Sequence, residues 1–160
     1  MNRFCATAFF SALVFPAFLS AIDGVPRLSL EDLVAHSDTI VEGEVVRTWT
    51  AMDSENRFIW THYEIRVGNR LKGSAQETVE IGEPGGTLNG VTLLVPGAAL
   101  YKQGEQVSVF LYRTPIGYLR TTNYGQGKFM LPDAASRTAF RSRVARIVSA
   151  QQAAQQGARQ

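Results

Sequence analysis

The stretch RFIWTHYEIRVGNRLKG, residues 57–73, decides the fold class because its core-type and polar side chains alternate. Successive side chains of a strand point to opposite faces, so this alternation predicts a long, half-buried strand. The face predicted to point to the core carries Ile59, Thr61, Tyr63, Ile65 and Val67, and the opposite face carries Phe58, Trp60, His62, Glu64 and Arg66. After the alternation stops, Leu71 is expected to close one end of the core, and Lys72-Gly73 to form an exposed turn.

Further strands are predicted on both sides of this stretch, because β-branched and aromatic residues recur between turn residues. They are TIVEGEVVRTW (39–49), ETVEIG (77–82), VTLLV (91–95), GEQVSVFLYR (104–113) and two short strands around Gly125-Gln126-Gly127. Gly43 lies inside the first of them, where a lone glycine indicates a bulge or a sharp bend.

Two helices frame the strands. Ser29 and Asp32 have the spacing of a capping box, so RLSLEDLVAHSD (27–38) predicts a helix of about two turns. A second helix is expected from about residue 134 to 152, with an apolar stripe of Phe140, Val144, Ile147 and Val148. The predicted fold class is therefore mainly β, a small closed OB-like β-barrel with a short N-terminal helix and a C-terminal amphipathic helix.

Residues 1–21 have the pattern of a secretory signal peptide. Arg3 supplies the positive charge, an uncharged apolar stretch runs from Phe4 to Leu19, and cleavage is expected near Ala21. The predicted location is secreted or periplasmic, with no membrane span after cleavage, and the alternative is an uncleaved N-terminal anchor. The predicted division is a barrel domain over 22–133 followed by a basic helix and tail over 134–160. Cys5 is the only cysteine, so the cleaved chain has no disulfide framework, thiol nucleophile or zinc–thiolate site.

Charge is distributed unevenly along the chain. Residues 22–133 carry ten Lys and Arg against fourteen Asp and Glu, whereas residues 134–160 carry five Arg and no acidic residue. The basic tail is expected to dock on the acidic body of its own chain, and the alternative is that it contacts an anionic surface.

The segments DTIVEGEVVRT, THYEIRVGNRLKG, GEQVSVFLY and GQGKFML carry a family resemblance. Together they resemble the framework of short exported bacterial proteins with an OB-like barrel, which is in turn similar to the netrin-like fold of tissue inhibitors of metalloproteinases. The resemblance covers residues 30–131 and implies a fold. It carries no inhibitory function, because those inhibitors chelate the protease zinc through an N-terminal cysteine and are held by disulfides, and this chain has neither feature after cleavage.

No catalytic constellation is visible in the sequence, so no catalytic residue, metal site or cofactor is predicted. His36 and His62 are far apart and lack metal-ligand spacing, and neither Ser108 nor Ser136 lies in a nucleophile elbow. Glu42, Glu44 and Glu64 are typical of solvated strand carboxylates. The chain is predicted not to be an enzyme, and the alternative is a periplasmic hydrolase with an unrecognised site.

The remaining function class is an exported, non-enzymatic module that binds a protein, with an exported protease among the candidates, or a glycan. The predicted binding residues are Trp49, Phe58, Trp60, His62 and Arg66. An exposed aromatic patch indicates either a partner or an intramolecular cover, here the C-terminal helix. A second alternative is an OB domain that binds single-stranded nucleic acid, but the acidic body and the predicted export both count against it.

Overall fold

The computed structural model describes residues 25–158, so the predicted signal peptide lies outside the described residues. A short helix, eight strands, one 3-10 turn and a long terminal helix follow one another along this part of the chain. They are α1 (Leu30–Ala35), β1 (Thr39–Met52), β2 (Ile59–Lys72), β3 (Thr78–Pro84), β4 (Gly86–Leu88), β5 (Val91–Leu93), β6 (Gln106–Arg113), β7 (Leu119–Thr121), the 3-10 turn (Tyr124–Gly127), β8 (Lys128–Phe129) and α2 (Ala134–Gly157). The predicted class, mainly β with a short helix and a C-terminal helix, is confirmed.

The strands form one antiparallel sheet in the order β3-β2-β1-β6-β7, with β8 also paired to β6, and β4 and β5 form a separate hairpin. The expected closure into a barrel is wrong, because no ladder joins β3 to β7 in the described chain. β7 has only three residues, too few for a long ladder, and a side chain of β3 occupies the space between the two strands, as described below. The two ends of the sheet therefore approach each other across an open seam.

Bulges bend the long β1–β2 pair. The register shifts at three places, one of them between Glu42 and Gly43, so the predicted bulge at this glycine is confirmed. A Cβ atom at position 43 would collide with the carbonyl oxygen of Arg66. Only glycine therefore allows the two strands to lie this close at the bend.

Each face of the sheet buries its own apolar cluster. The inner cluster includes Val41, Ile65, Ile81 and Val109, none of which has solvent-exposed surface. Because Ile65 belongs to the face of β2 predicted to point inward, that assignment is confirmed. The outer cluster packs Ile40 and Phe110 against both helices.

Both helices begin as the sequence predicts and pack on the outer face of the sheet. Ser29 and Asp32 form the expected capping box, and the Asp133 side chain caps the start of α2. Val144 and Val148 of the predicted stripe are buried in the outer cluster. The basic helix thus docks on its own chain. No helix within residues 25–158 has the length and apolar character needed to cross a membrane.

The end of β2 differs from the prediction. Leu71 is half-buried and packs in the outer cluster, between sheet and helices, instead of closing the inner core. The Nζ of Lys72 donates a hydrogen bond of 2.6 Å to the carbonyl oxygen of Val34 in the last turn of α1. Burial lowers the pKa of Lys72, so this lysine is not the exposed turn residue expected. Gly73 does turn the chain, with a φ of 71°.

Candidate binding cleft at the open seam of the sheet

Four of the five predicted binding residues meet on the outer face of β1 and β2. Trp49 and His62 are direct cross-strand partners, and their rings stack with centroids 5.2 Å apart and planes 10° apart. Phe58 lies 5.9 Å from Trp60 between ring centroids. Arg66 does not join them, because it pairs instead with Glu44 at 3.4 Å between Nη2 and Oε2.

Tyr118, which precedes β7, covers these aromatic residues. Its ring centroid lies 4.9 Å from that of Trp60 and 5.4 Å from that of His62. The Tyr118 ring lies over Gly82, where a Cβ would be 3.4 Å from it. As a result only 8% of Trp60 and 6% of His62 is exposed. The cover is thus the β6–β7 turn, whereas the sequence suggested the C-terminal helix, which packs on Phe110 and its neighbours.

A cleft of about 710 Å³ opens beside the covered rings, next to the seam between β3 and β7. We call it the aromatic cleft. Part of its lining is aromatic and consists of Phe58, Trp60 and Tyr118. Ile116, at the tip of the β6–β7 turn, also lines it and is 66% exposed. Tyr124, 40% exposed, lines the same cleft, and apolar surface that is exposed in a group indicates a contact surface.

A buried ion pair lies at the seam behind the cleft. Glu83 of β3 is 1% exposed. Its Oε1 accepts a 2.7 Å hydrogen bond from the backbone N–H of Thr121 in β7, so a carboxylate replaces the missing β3–β7 ladder. Its Oε2 lies 3.6 Å from Nη2 of Arg120. Burial raises the pKa of Glu83, although the Thr121 hydrogen bond and the Arg120 charge act in the opposite direction.

Arg120 joins this ion pair to the cleft. It lines the cleft, and its Cζ lies 5.7 Å from the centroid of the Trp60 ring. Its Nε is buried and has no hydrogen-bond partner within the described residues. The separation from Glu83 Oε2 is longer than a hydrogen bond.

Within residues 25–158, the site offers contact surface and charge. His62 Nδ1 lies 3.0 Å from Glu80 Oε1, and the His62 ring packs against Trp49 and Tyr118. His36 bonds the Asp32 carbonyl of its own helix, and Ser108 is buried. Within residues 25–158, no three or more His, Cys, Asp or Glu side chains are grouped so that they could hold a metal ion.

Sequence reasoning missed Tyr118, Arg120 and Glu83. Glu83 carried a readable signal, because it continues the inward phase of Val79 and Ile81 and an acidic residue there is out of place. The other two lie more than fifty residues after Trp60. No local pattern shows that a turn so distant in sequence folds back over β2.

No protein-family model matches this chain, and no curated protein matches it. The resemblance to exported OB-like and netrin-like proteins therefore stays a prediction.

Proposed function

We propose that the chain is an exported, non-enzymatic binding module whose partner is a protein that docks in the aromatic cleft. The observation that carries this proposal is the 66% exposed Ile116 at the mouth of a cleft built on packed aromatic rings. Apolar side chains exposed together beside aromatic residues are typical of protein interaction surfaces.

The packing of the rings favours a protein over a glycan or a single-stranded nucleic acid. Sugars and bases bind aromatic residues by stacking on an open ring face. Trp60 is nearly buried, and its ring is inclined by 55–56° to its two aromatic neighbours. Trp49 stacks with His62 and also holds the Arg47 guanidinium 4.1 Å from its ring centroid. The aromatic rings thus pack against one another and offer no open, flat ring face to a sugar or a base.

A pair of matched surface variants tests the proposal. Ile116→Ser changes the mouth of the cleft, whereas Leu100→Ser changes a residue that is 73% exposed and outside the cleft. Wild type and both variants, immobilised in equal amounts, are exposed to the exported proteins of the source cell. We expect one captured protein to be lost with Ile116→Ser alone. If all three proteins capture the same partners equally, the cleft is not the binding site. If the wild type binds only to a glycan array, the partner is a glycan and not a protein.

Export is part of this proposal and has its own test. Arg3 and the apolar stretch after it support cleavage near Ala21. The intact mass of the protein recovered outside the cytoplasm is expected to lack the first 21 residues. Full-length protein in the membrane fraction would support the N-terminal anchor instead.

We also propose that the sheet is an OB-like barrel that is open at the β3–β7 seam. The support is the five-strand path and the approach of its end strands, since OB-folds are five-stranded and only partly closed. A solved structure with backbone hydrogen bonds along β3 and β7, or with the two strands far apart, would contradict this description.

A further inference from the structure

We propose, building on the protein-binding function above, that Arg120 selects the partner by binding an acidic side chain that the partner inserts into the aromatic cleft beside an apolar residue.

Arg120 has unused hydrogen-bonding capacity. Its side chain is only 17% exposed, and within residues 25–158 its buried Nε has no hydrogen-bond partner. A buried donor without an acceptor is costly, so native proteins nearly always provide one. A carboxylate complements the guanidinium best, because the two can form paired, charge-assisted hydrogen bonds.

Arg57 and Asp53, two other charged residues of the cleft, have partners within the chain. Arg57 pairs with Glu55 at 2.6 Å between Nη2 and Oε2. Asp53 accepts hydrogen bonds from the backbone N–H groups of Arg57 and Phe58 through Oδ1. Arg120 differs from them because its buried Nε has no acceptor within residues 25–158.

Apolar surface lies beside Arg120 in the cleft. Ile116 and Tyr124 line the same cleft and are substantially exposed, and Phe58 is half-buried there. A partner segment with an apolar residue next to its acidic residue would cover these side chains while the carboxylate reaches Arg120. This combination explains why a charged anchor lies in a mostly apolar recess.

Through Glu83, the affinity for an acidic partner side chain depends on pH. A partner carboxylate bound to Arg120 offsets part of the positive charge that stabilises ionised Glu83. It also places a second negative charge close to Glu83. Binding therefore raises the proton affinity of Glu83, so affinity for an acidic ligand increases as pH falls. The other groups that face Glu83 are Tyr63 of β2 and Tyr101 of the segment before β6, and burial raises the pKa of each phenol. Both phenols therefore stay neutral at the pH at which Glu83 titrates.

The test uses the purified protein and three peptides: acetyl-Leu-Glu-Leu-amide, its glutamine counterpart, and acetyl-Leu-Leu with a free carboxyl terminus. The Nε–Hε signal of Arg120 is followed by NMR during titration. We expect this signal to shift with the glutamate peptide, and that peptide to bind about tenfold more tightly than the glutamine peptide, as for a hydrogen bond to a charged group. Arg120→Lys, which keeps the charge but loses the planar fork, should remove most of this preference.

The pH arm uses Glu83→Gln. As pH falls through the raised pKa of Glu83, and while the glutamate peptide stays ionised, wild-type affinity should rise whereas that of Glu83→Gln should stay level. Equal affinity for the glutamate and glutamine peptides, or no shift with any peptide, would overturn the proposal. A shift with the free carboxyl terminus alone would also overturn it, in favour of a chain terminus. Loss of capture with Ile116→Ser would survive any of these results, so the binding function is judged separately.

Discussion

Removing the Arg141 side chain is expected to weaken the attachment of the terminal helix α2 to the sheet. Arg141 of α2 donates a hydrogen bond of 2.9 Å from Nε to Oε2 of Glu42, and its Nη2 lies 2.8 Å from the same oxygen. Asn69 donates a second hydrogen bond to this oxygen at 3.2 Å. The Glu42 side chain is only 7% exposed, so Arg141→Ala leaves a buried carboxylate with one weak donor.

The magnitude follows from this geometry. Breaking a buried ion pair by removing one partner costs about 3–5 kcal/mol. The lower end applies here, because Arg141 is 38% exposed and a cavity of about 110 Å³ beside Glu42 gives water access to the carboxylate. We therefore expect Arg141→Ala to lower the free energy of unfolding by about 3 kcal/mol. Asn69→Ala should lower it by about 1 kcal/mol, as one hydrogen bond does.

Urea unfolding followed by far-UV circular dichroism measures these differences. Arg146→Ala is the matched control, since Arg146 is exposed on the same helix and its loss should change stability by less than about 0.5 kcal/mol. The double variant Glu42→Leu with Arg141→Met removes both charges and should recover to within about 1 kcal/mol of wild type. If Arg141→Ala behaves like Arg146→Ala, the ion pair does not hold the helix and the reasoning fails.

Three further predictions concern the sheet. Leu71→Ala should lower the free energy of unfolding by about 2 kcal/mol, because packing in the outer cluster is lost. Lys72→Met should lower it by about 1 kcal/mol, because the Val34 carbonyl loses its donor. Urea midpoints measure both changes, and an unchanged midpoint for Lys72→Met would contradict the Lys72–Val34 contact. Trp60→Ala should cost about 3 kcal/mol, and an unchanged thermal midpoint would mean that the residue is exposed. The raised pKa of Glu83 means that wild-type stability falls as pH rises from the ordinary value of 4.5 through the folded-state pKa. Glu83→Gln should lack this fall, so parallel stability–pH curves would refute it.

Local signals predicted the elements, and long-range contacts decided the site. The alternation along β2 identified a strand and its inner face, and Ser29 marked the start of α1, because both effects act within a few residues. The same reasoning placed Trp60 on the face opposite the core and left open whether that face is exposed or covered by the C-terminal helix. It did not find the actual cover, because Tyr118 arrives from a separate hairpin. Barrel closure was likewise overestimated, since strand counts do not show whether the last pair of edges will meet.

Glu83 has one more consequence, for contacts between molecules. An exposed strand edge is a template on which a second chain can add a strand and begin aggregation. The outer edge of β3 faces the seam, and there an inward-pointing carboxylate holds the backbone of β7. A foreign strand would have to displace this contact and bury the charge against its own backbone. We infer that the seam is guarded against edge-to-edge assembly, and that the protection weakens in acid, where the carboxyl becomes neutral.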